Sequence, residues 1–583
     1  MAGPLSFEAG QGALGRVTFD GVEVVRGIDM PIRDADWATA SRTVTSESAE
    51  TDPDRADYHC AFAAGDFDGT LRVTARARGD AAELTADLHL TAKRETCVNR
   101  AGFILLHPLD GVAGASVQVT HADGSSETLT FPELISPGQP AFDIAGMSHS
   151  VHGVGVTLTF DGEVFEMEDQ RNWTDASFKT YCRPLGAPRP FIVAAGDTIH
   201  QTVQLSCTRR APRSAGGDVP AATERMPGVD CAMEPALSDA PLPAALAHIC
   251  FDAVQLRLHA GAAFPPALPS ATERSLEIIL PEEAGADALA ATARAAKAAG
   301  FVPDRVIVLP EPYLGSIQPE GPWPDGPTPE DAAVMARAAF PDAQIGGGVL
   351  TNFTEFNRCP PAFDSDFVTF GTTALVHDAS DRAVLETLEA LPAVFASARS
   401  HAGDRPVRLG LASIGMRSNP YGAGVVPNPQ GVRIEMAMDD PRQRGLFAAA
   451  FAVGYAACAV RGGIVSFAPA MAAGALGLTH GAEVVPLFHV VRALATLAGR
   501  DATVLGAVPG GLVTVTATGP GLSGLSANLS DTTQTLDAGP VRRLGAADML
   551  AARDPLWLDD APLSDGPVTL APYDIAFHDG VTQ

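Results

Sequence analysis

The chain has 583 residues, 46% hydrophobic and 19% charged, a composition that folds into roughly two to four domains and is not that of a disordered chain. Forty basic residues against 69 acidic ones leave a formal charge of −29, which repels phosphate backbones and anionic lipid, so neither nucleic acid nor membrane is expected as a partner. Eight cysteines without paired spacing read as reduced core thiols, and the start MAGPLSFEAGQGALG is not a basic, then apolar leader; the expected location is cytoplasmic.

From Val17 to about Cys207 short alternating runs are separated by Asp-Gly and Gly-Asp turns. In LRVTARARG, Leu71, Val73, Ala75 and Ala77 share one face and Arg72, Thr74, Arg76 and Arg78 the other, the period of a half-buried strand. Residues 1–210 are therefore predicted to form an antiparallel β-sandwich. The Pro-, Gly- and Ala-rich stretch 211–240 reads as a linker.

From 241 to 500 strand-like and helix-like segments alternate. Strands are expected at 253–260, 275–280, 305–310, 343–350, 366–371, 406–412 and 463–469, and helices at 285–299, 329–340 and about 442–460. This grammar predicts a (β/α)8 TIM-type barrel, although only seven strands are legible; an open doubly wound sheet is the alternative. The one G-x-G-x-x-G, Gly519 to Gly524, runs into LSANLS and reads as a hairpin turn instead of a nucleotide loop. Residues 501–583 return to strands and are expected to form a small C-terminal β-sandwich.

Reactive groups of a barrel sit on the loops after its strands. Those loops carry Glu311; Asn352, Glu355, Asn357 and Arg358; His377 and Asp378; and Arg417 and Asn419. Carboxylate and imidazole can move protons, guanidinium forks hold a carbonyl or carboxylate, and amides hydrogen-bond hydroxyls, which suits a small polyhydroxylated acid or lactone. Glu355, Glu311 and His377 are the catalytic candidates, and Asn352, Asn357, Arg358, Arg417 and Asn419 the substrate-binding ones. The dense polar run 166–179 adds Glu168, Arg171, Asn172 and Lys179, read either as a salt-bridged loop or as a contact to substrate. No G-x-S-x-G, H-E-x-x-H or phosphate loop occurs, and His149 and His152 stand without carboxylate or Cys partners close in sequence. No metal and no cofactor are expected.

Taken together, NRAGFILLHP (99–108), EMEDQRNWTDASFKTYCRPL (166–185), NFTEFNR (352–358), VHDASD (376–381), MRSNP (416–420) and DPRQRGLFAAA (440–450) resemble the D-apionate lactonase family. The resemblance implies a β, TIM-barrel, β architecture and hydrolysis of D-apionolactone to D-apionate in apiose catabolism. The competing reading is a glycoside hydrolase, with Glu355 after a fourth strand; it needs a second carboxylate, and GIVSFAPA offers none. A non-catalytic carbohydrate-binding protein would need aromatic platforms, against which stand four Trp and six Tyr in the whole chain.

Overall fold

Strand Phe67–Arg78 buries Leu71, Val73 and Ala75 and exposes Arg72, Arg76 and Arg78, as its two-residue period requires. It pairs residue for residue with Ala81–Ala92. The computed structural model describes residues 1–35, 37–210, 222–238 and 241–579. They divide into two compact units, Met1–Gln170 with Ala176–Gly217, and Arg171–Asp175 with Asp218–Gln583.

The first unit is mostly β. Fifteen strands form one sheet, from Leu5–Gly10 at one end of its order to Arg42–Asp52 at the other, and adjacent strands run antiparallel. Its hairpins use the expected turn chemistry. Between Ala13–Phe19 and Val22–Asp29 the two-residue turn Asp20-Gly21 takes φ of 48° and 74°, the left-handed pair that fits the strand twist. One core joins Phe19 and Val24 to Leu71 and Leu84, and each such side chain contributes about 1.5–3 kcal/mol when fully buried.

The second unit is built on parallel strands. We number them β1, made of Gly228–Val229 and Cys231–Met233 on either side of Asp230, then β2 (Phe251–His259), β3 (Ala271–Leu280), β4 (Arg305–Pro310), β5 (Gln344–Asn352), β6 (Phe367–Thr373), β7 (Arg408–Ser413) and β8 (Ser466–Ala468). Strand β1 pairs in parallel with β8 through Gly228–Val229 and with β2 through Cys231–Met233. The sheet therefore closes on itself, and all strand C-termini lie at one end.

The seven strands legible in the sequence are β2 to β8; the eighth is β1, inside the stretch read as a linker. Of that stretch, 211–221 and 239–240 lie outside the described residues. Its described part also supplies Ala222–Arg225, which pairs antiparallel with Asp501–Leu505. Because β1 precedes the others, Glu355 follows the fifth barrel strand and not the fourth.

The helices are α1 (Ala286–Ala298), α2 (Pro329–Ala339), α3 (Phe353–Arg358), α4 (Asp381–Ala402), α5 (Leu446–Arg461) and α6 (Pro486–Leu497). Among the described residues no α-helix separates β1 from β2 or β2 from β3. Thr328 and Asp331 form a capping box that starts α2. Helix α5 is apolar on every side and buried from Phe447 to Val460, as a helix covered all round must be. It packs on α4, α6 and strands of the seven-stranded C-terminal sheet. Gly519 to Gly521 there form the turn between Leu512–Ala517 and Leu522–Asn528.

Candidate active site

Leu256, Leu258 and Ile278 pack against Leu289 and Ala296 of α1, so the alternate residues Gln255, Arg257, Ser275 and Glu277 face the barrel interior. Arg257 and Glu277 are register partners on β2 and β3, joined at 2.7 Å. Arg417, beyond β7, approaches Glu277 at 3.5 Å and Glu234, beyond β1, at 2.7 Å; Glu234 also lies 3.8 Å from Arg257. Four charges alternate in a buried ring. Burial pushes Glu277 up, but Arg257 and Arg417 overcome this and hold its carboxyl below the usual glutamate value. Burial and the charge of Arg257 lower Arg417. Its Nη2 is buried without a hydrogen-bond partner.

A second group gathers around Trp173. Residues Arg171–Asp175 belong to the second unit although the chain on either side belongs to the first. Thr174 donates to the Thr373 carbonyl at the end of β6. Thr354 donates to the Asn172 carbonyl, and Asn357 Nδ2 donates to Asn172 Oδ1, both at 2.8 Å. The indole packs edge-on with His377 at 5.6 Å and against Tyr421 at 6.5 Å, while the Arg358 guanidinium lies 5.3 Å over it. His377 Nδ1 stands 2.5 Å from Asp175 Oδ2.

Glu355 is the third residue of α3, and its Oε2 accepts the Asn352 backbone N–H at 3.1 Å, which starts that short helix. Its Oε1 is buried and unpartnered, as are Thr351 Oγ1 and Asn352 Nδ2 beside it. Burial raises the Glu355 carboxyl above its ordinary value, against the pull of Ser316, the Asn352 N–H and the Arg358 charge. Burial, and then the Glu355 charge, raises Tyr421. Glu355 and Arg358 line a cavity of about 10 Å³ whose other walls include Leu309, Tyr313, Ile317 and Trp323, about the space of one water. Buried polar atoms without partners are rare, and a water, an ion, strain or a catalytic role accounts for them.

The structure sorts the sequence candidates. Arg358, His377 and Asn172 meet around Trp173, and Glu355 lies beside Arg358. Asn357 is 2% exposed and is held by Asn172 and His401, and Asn419 bonds Gly424 and Tyr421 of its own loop; both order the scaffold. Arg417 sits in the charged ring, and Glu311 is exposed at the start of the turn Glu311–Leu314. Glu168 and Lys179 are register partners on adjacent strands of the first unit and pair with each other. Arg171 is 1% exposed.

Missed from the sequence were Glu234, Arg257 and Glu277, and Thr354 and Tyr421; Asp175 lies within the dense polar run 166–179, but its partner His377 was not foreseen. Polar residues at alternate positions of apolar β2 and β3 were a usable signal for Arg257 and Glu277. Asp87, His89 and His200 on adjacent strands of the first unit bring three potential metal-ligand atoms within 4.8 Å. His149 is buried and His152 pairs with Asp110. For a glycosidase, β7 and β8 end in Leu-Ala-Ser and Ser-Phe-Ala without a carboxylate.

A closed parallel barrel with proton-transfer groups on the loops after its strands defines a barrel enzyme. Residues 1–210 match the N-terminal domain of D-apionate lactonase, and 241–499 match its TIM barrel domain. The D-apionate lactonase of Brucella anthropi is 38% identical over 545 residues, 86% of this chain and 87% of the relative. The chain belongs to the D-apionate lactonase family. Among solved structures, an arabinofuranosidase is 12% identical with a TM-score of 0.32, covering 52% of this chain and 75% of its own. The α-galactosidase of Lactobacillus brevis is 9% identical with a TM-score of 0.23, covering 95% and 88%; neither likeness bears on the function. No helix of the described residues is long and apolar enough to cross a membrane.

Proposed function

We propose that this chain is a lactonase that hydrolyses a sugar-acid lactone, D-apionolactone to D-apionate, in the cytoplasmic catabolism of apiose. The same reading takes the N-terminal sheet as a sandwich and the barrel as a (β/α)8 plan lacking its first two helices. Membership of the lactonase family supports the reaction. The observation that carries the site is Glu355, a buried carboxyl raised by burial with one oxygen unpartnered beside Arg358.

Lactone opening needs a proton for the departing ring oxygen and a positive group near the carbonyl oxygen as it becomes an oxyanion. Burial of Glu355 favours the neutral carboxyl, the form that supplies the first. Arg358, with Nη1 held by Ser316 at 3.0 Å and its plane over Trp173, supplies the second. The test is to incubate purified protein with D-apionolactone, other aldonolactones and aryl glycosides, following acid release and aglycone release in parallel. Acid release from D-apionolactone in preference to the rest is the expected result. Aglycone release with no lactone turnover sinks the reading.

A further inference from the structure

The strongest unassigned relationship in the barrel unit joins two residues 202 positions apart. Asp175 ends the segment Arg171–Asp175, and His377 stands four residues beyond β6. Their side chains are partly open, at 20% and 26% exposure, unlike the sealed charges of the Arg417 ring. His377 Nδ1 meets Asp175 Oδ2 at 2.5 Å, and the edge-on indole of Trp173 sets the plane of the imidazole. The Nε2 atom makes no hydrogen bond among the described residues.

A carboxylate accepts hydrogen bonds and cannot give one, so the Nδ1 that faces Asp175 carries the proton and Nε2 carries the lone pair. We infer that Asp175 and His377 form a base dyad in which Asp175 orients the imidazole and Nε2 takes a proton from the water that attacks the lactone. This rests on the lactonase reading, and it gives the attacking water a proton acceptor distinct from Glu355.

The step balances without a co-reactant. Water oxygen bonds to the carbonyl carbon, its proton passes to Nε2, and the carbonyl π pair moves onto oxygen beside Arg358. The oxyanion collapses, the ring carbon–oxygen bond breaks, and the departing oxygen takes the Glu355 proton. Imidazolium then loses its proton to solvent and the Glu355 carboxylate takes one up, which restores both groups and leaves one hydroxy acid from one lactone and one water. His377 is the catalytic base and Asp175 a positioning residue, whose loss costs turnover by releasing the wrong tautomer.

Two measurements on the full-length chain test this. In ¹⁵N-histidine protein near pH 8, with His377→Gln used for assignment, the His377 ring should show a protonated Nδ1 and an unprotonated Nε2. Asp175→Asn should change that tautomer. In kinetics, Asp175→Asn and His377→Gln should each lower kcat by about 10²- to 10⁴-fold with little change in KM or melting temperature. The double variant should be no worse than His377→Gln alone, because the two act as one unit. A protonated Nε2 in the native protein overturns the dyad. So does near-native kcat in either variant on a substrate the native enzyme hydrolyses, and the lactonase reading then stands. If the native enzyme opens no sugar-acid lactone, that reading falls and the tautomer alone decides the dyad.

Discussion

Arg257 and Glu277 occupy matching positions on adjacent parallel strands, and the guanidinium meets the carboxylate at 2.7 Å with each side chain 5% exposed. Neither charge has access to bulk water, so each is stabilised almost wholly by its partners in the ring with Glu234 and Arg417.

Removing one member strands the others. Glu277→Ala leaves Arg257 and Arg417 facing each other with a single carboxylate, and should cost about 3–5 kcal/mol of stability. Arg257→Met with Glu277→Leu removes a balanced pair and should cost much less. Denaturant unfolding of the three proteins checks the order; equal losses would show that the pairing is not what holds these residues.

Glu355→Gln should lower kcat on the lactone by about 10²- to 10⁴-fold, while Gln retains an oxygen for the Asn352 N–H. A carboxyl raised above its unfolded value contributes fully below the unfolded pKa and loses that contribution as pH rises through the folded one. At pH 8 the charged, buried form is therefore a burden, and Glu355→Gln should keep or raise the melting temperature. A variant both inactive and unfolded would make Glu355 a structural residue. Activity of the native enzyme should fall on the alkaline side, where the proton donor is lost.

Acid should loosen the first unit. Burial depresses His107 to about 3, with the charge of His149 adding to it, and burial depresses His149 to about 4, both from 6.5. Their folded values lie below the unfolded ones, so the unfolded chain binds more protons between these limits. Stability is full above pH 6.5 and falls as pH drops below it, each histidine contributing a slope approaching about 1.4 kcal/mol per pH unit. Hydrogen-exchange protection factors in Ile104–His107 and Ala141–Val151, taken relative to the intrinsic exchange rate at each pH, should fall from pH 7.5 to 5, and His149→Leu should flatten that dependence. An unchanged slope in the variant would assign the acid sensitivity elsewhere.

Thiol chemistry should separate the cysteines by burial. Cys97 and Cys250 are exposed, whereas burial pushes Cys182, Cys207 and Cys458 up to about 12. Only thiolate reacts, so an aromatic disulfide reagent at neutral pH should modify two thiols promptly. Denaturation should release the other six of the eight. Prompt reaction of more than three would show that buried thiols open readily.

What local pattern can encode is readable in the sequence alone. The alternation from Phe67 to Arg78 marks a strand because side chains point to opposite faces at each step, and apolar runs between helical stretches mark β2 to β8 for the same kind of local reason. The loops after those strands were also legible, and with them Glu355, Arg358 and His377. Strand β1 was hidden because Asp230 interrupts its short apolar run, and its acceptability depends on distant partners: Gln255 and Ser466 donate to it at 2.8 and 3.1 Å, and Arg305 lies 3.7 Å away. The same limit hid the partner of Asp175, the imidazole it faces across 202 positions. Periodicity records which face of an element is buried, but a buried charge is tolerated only by a partner in space, and only the tertiary fold selects that partner.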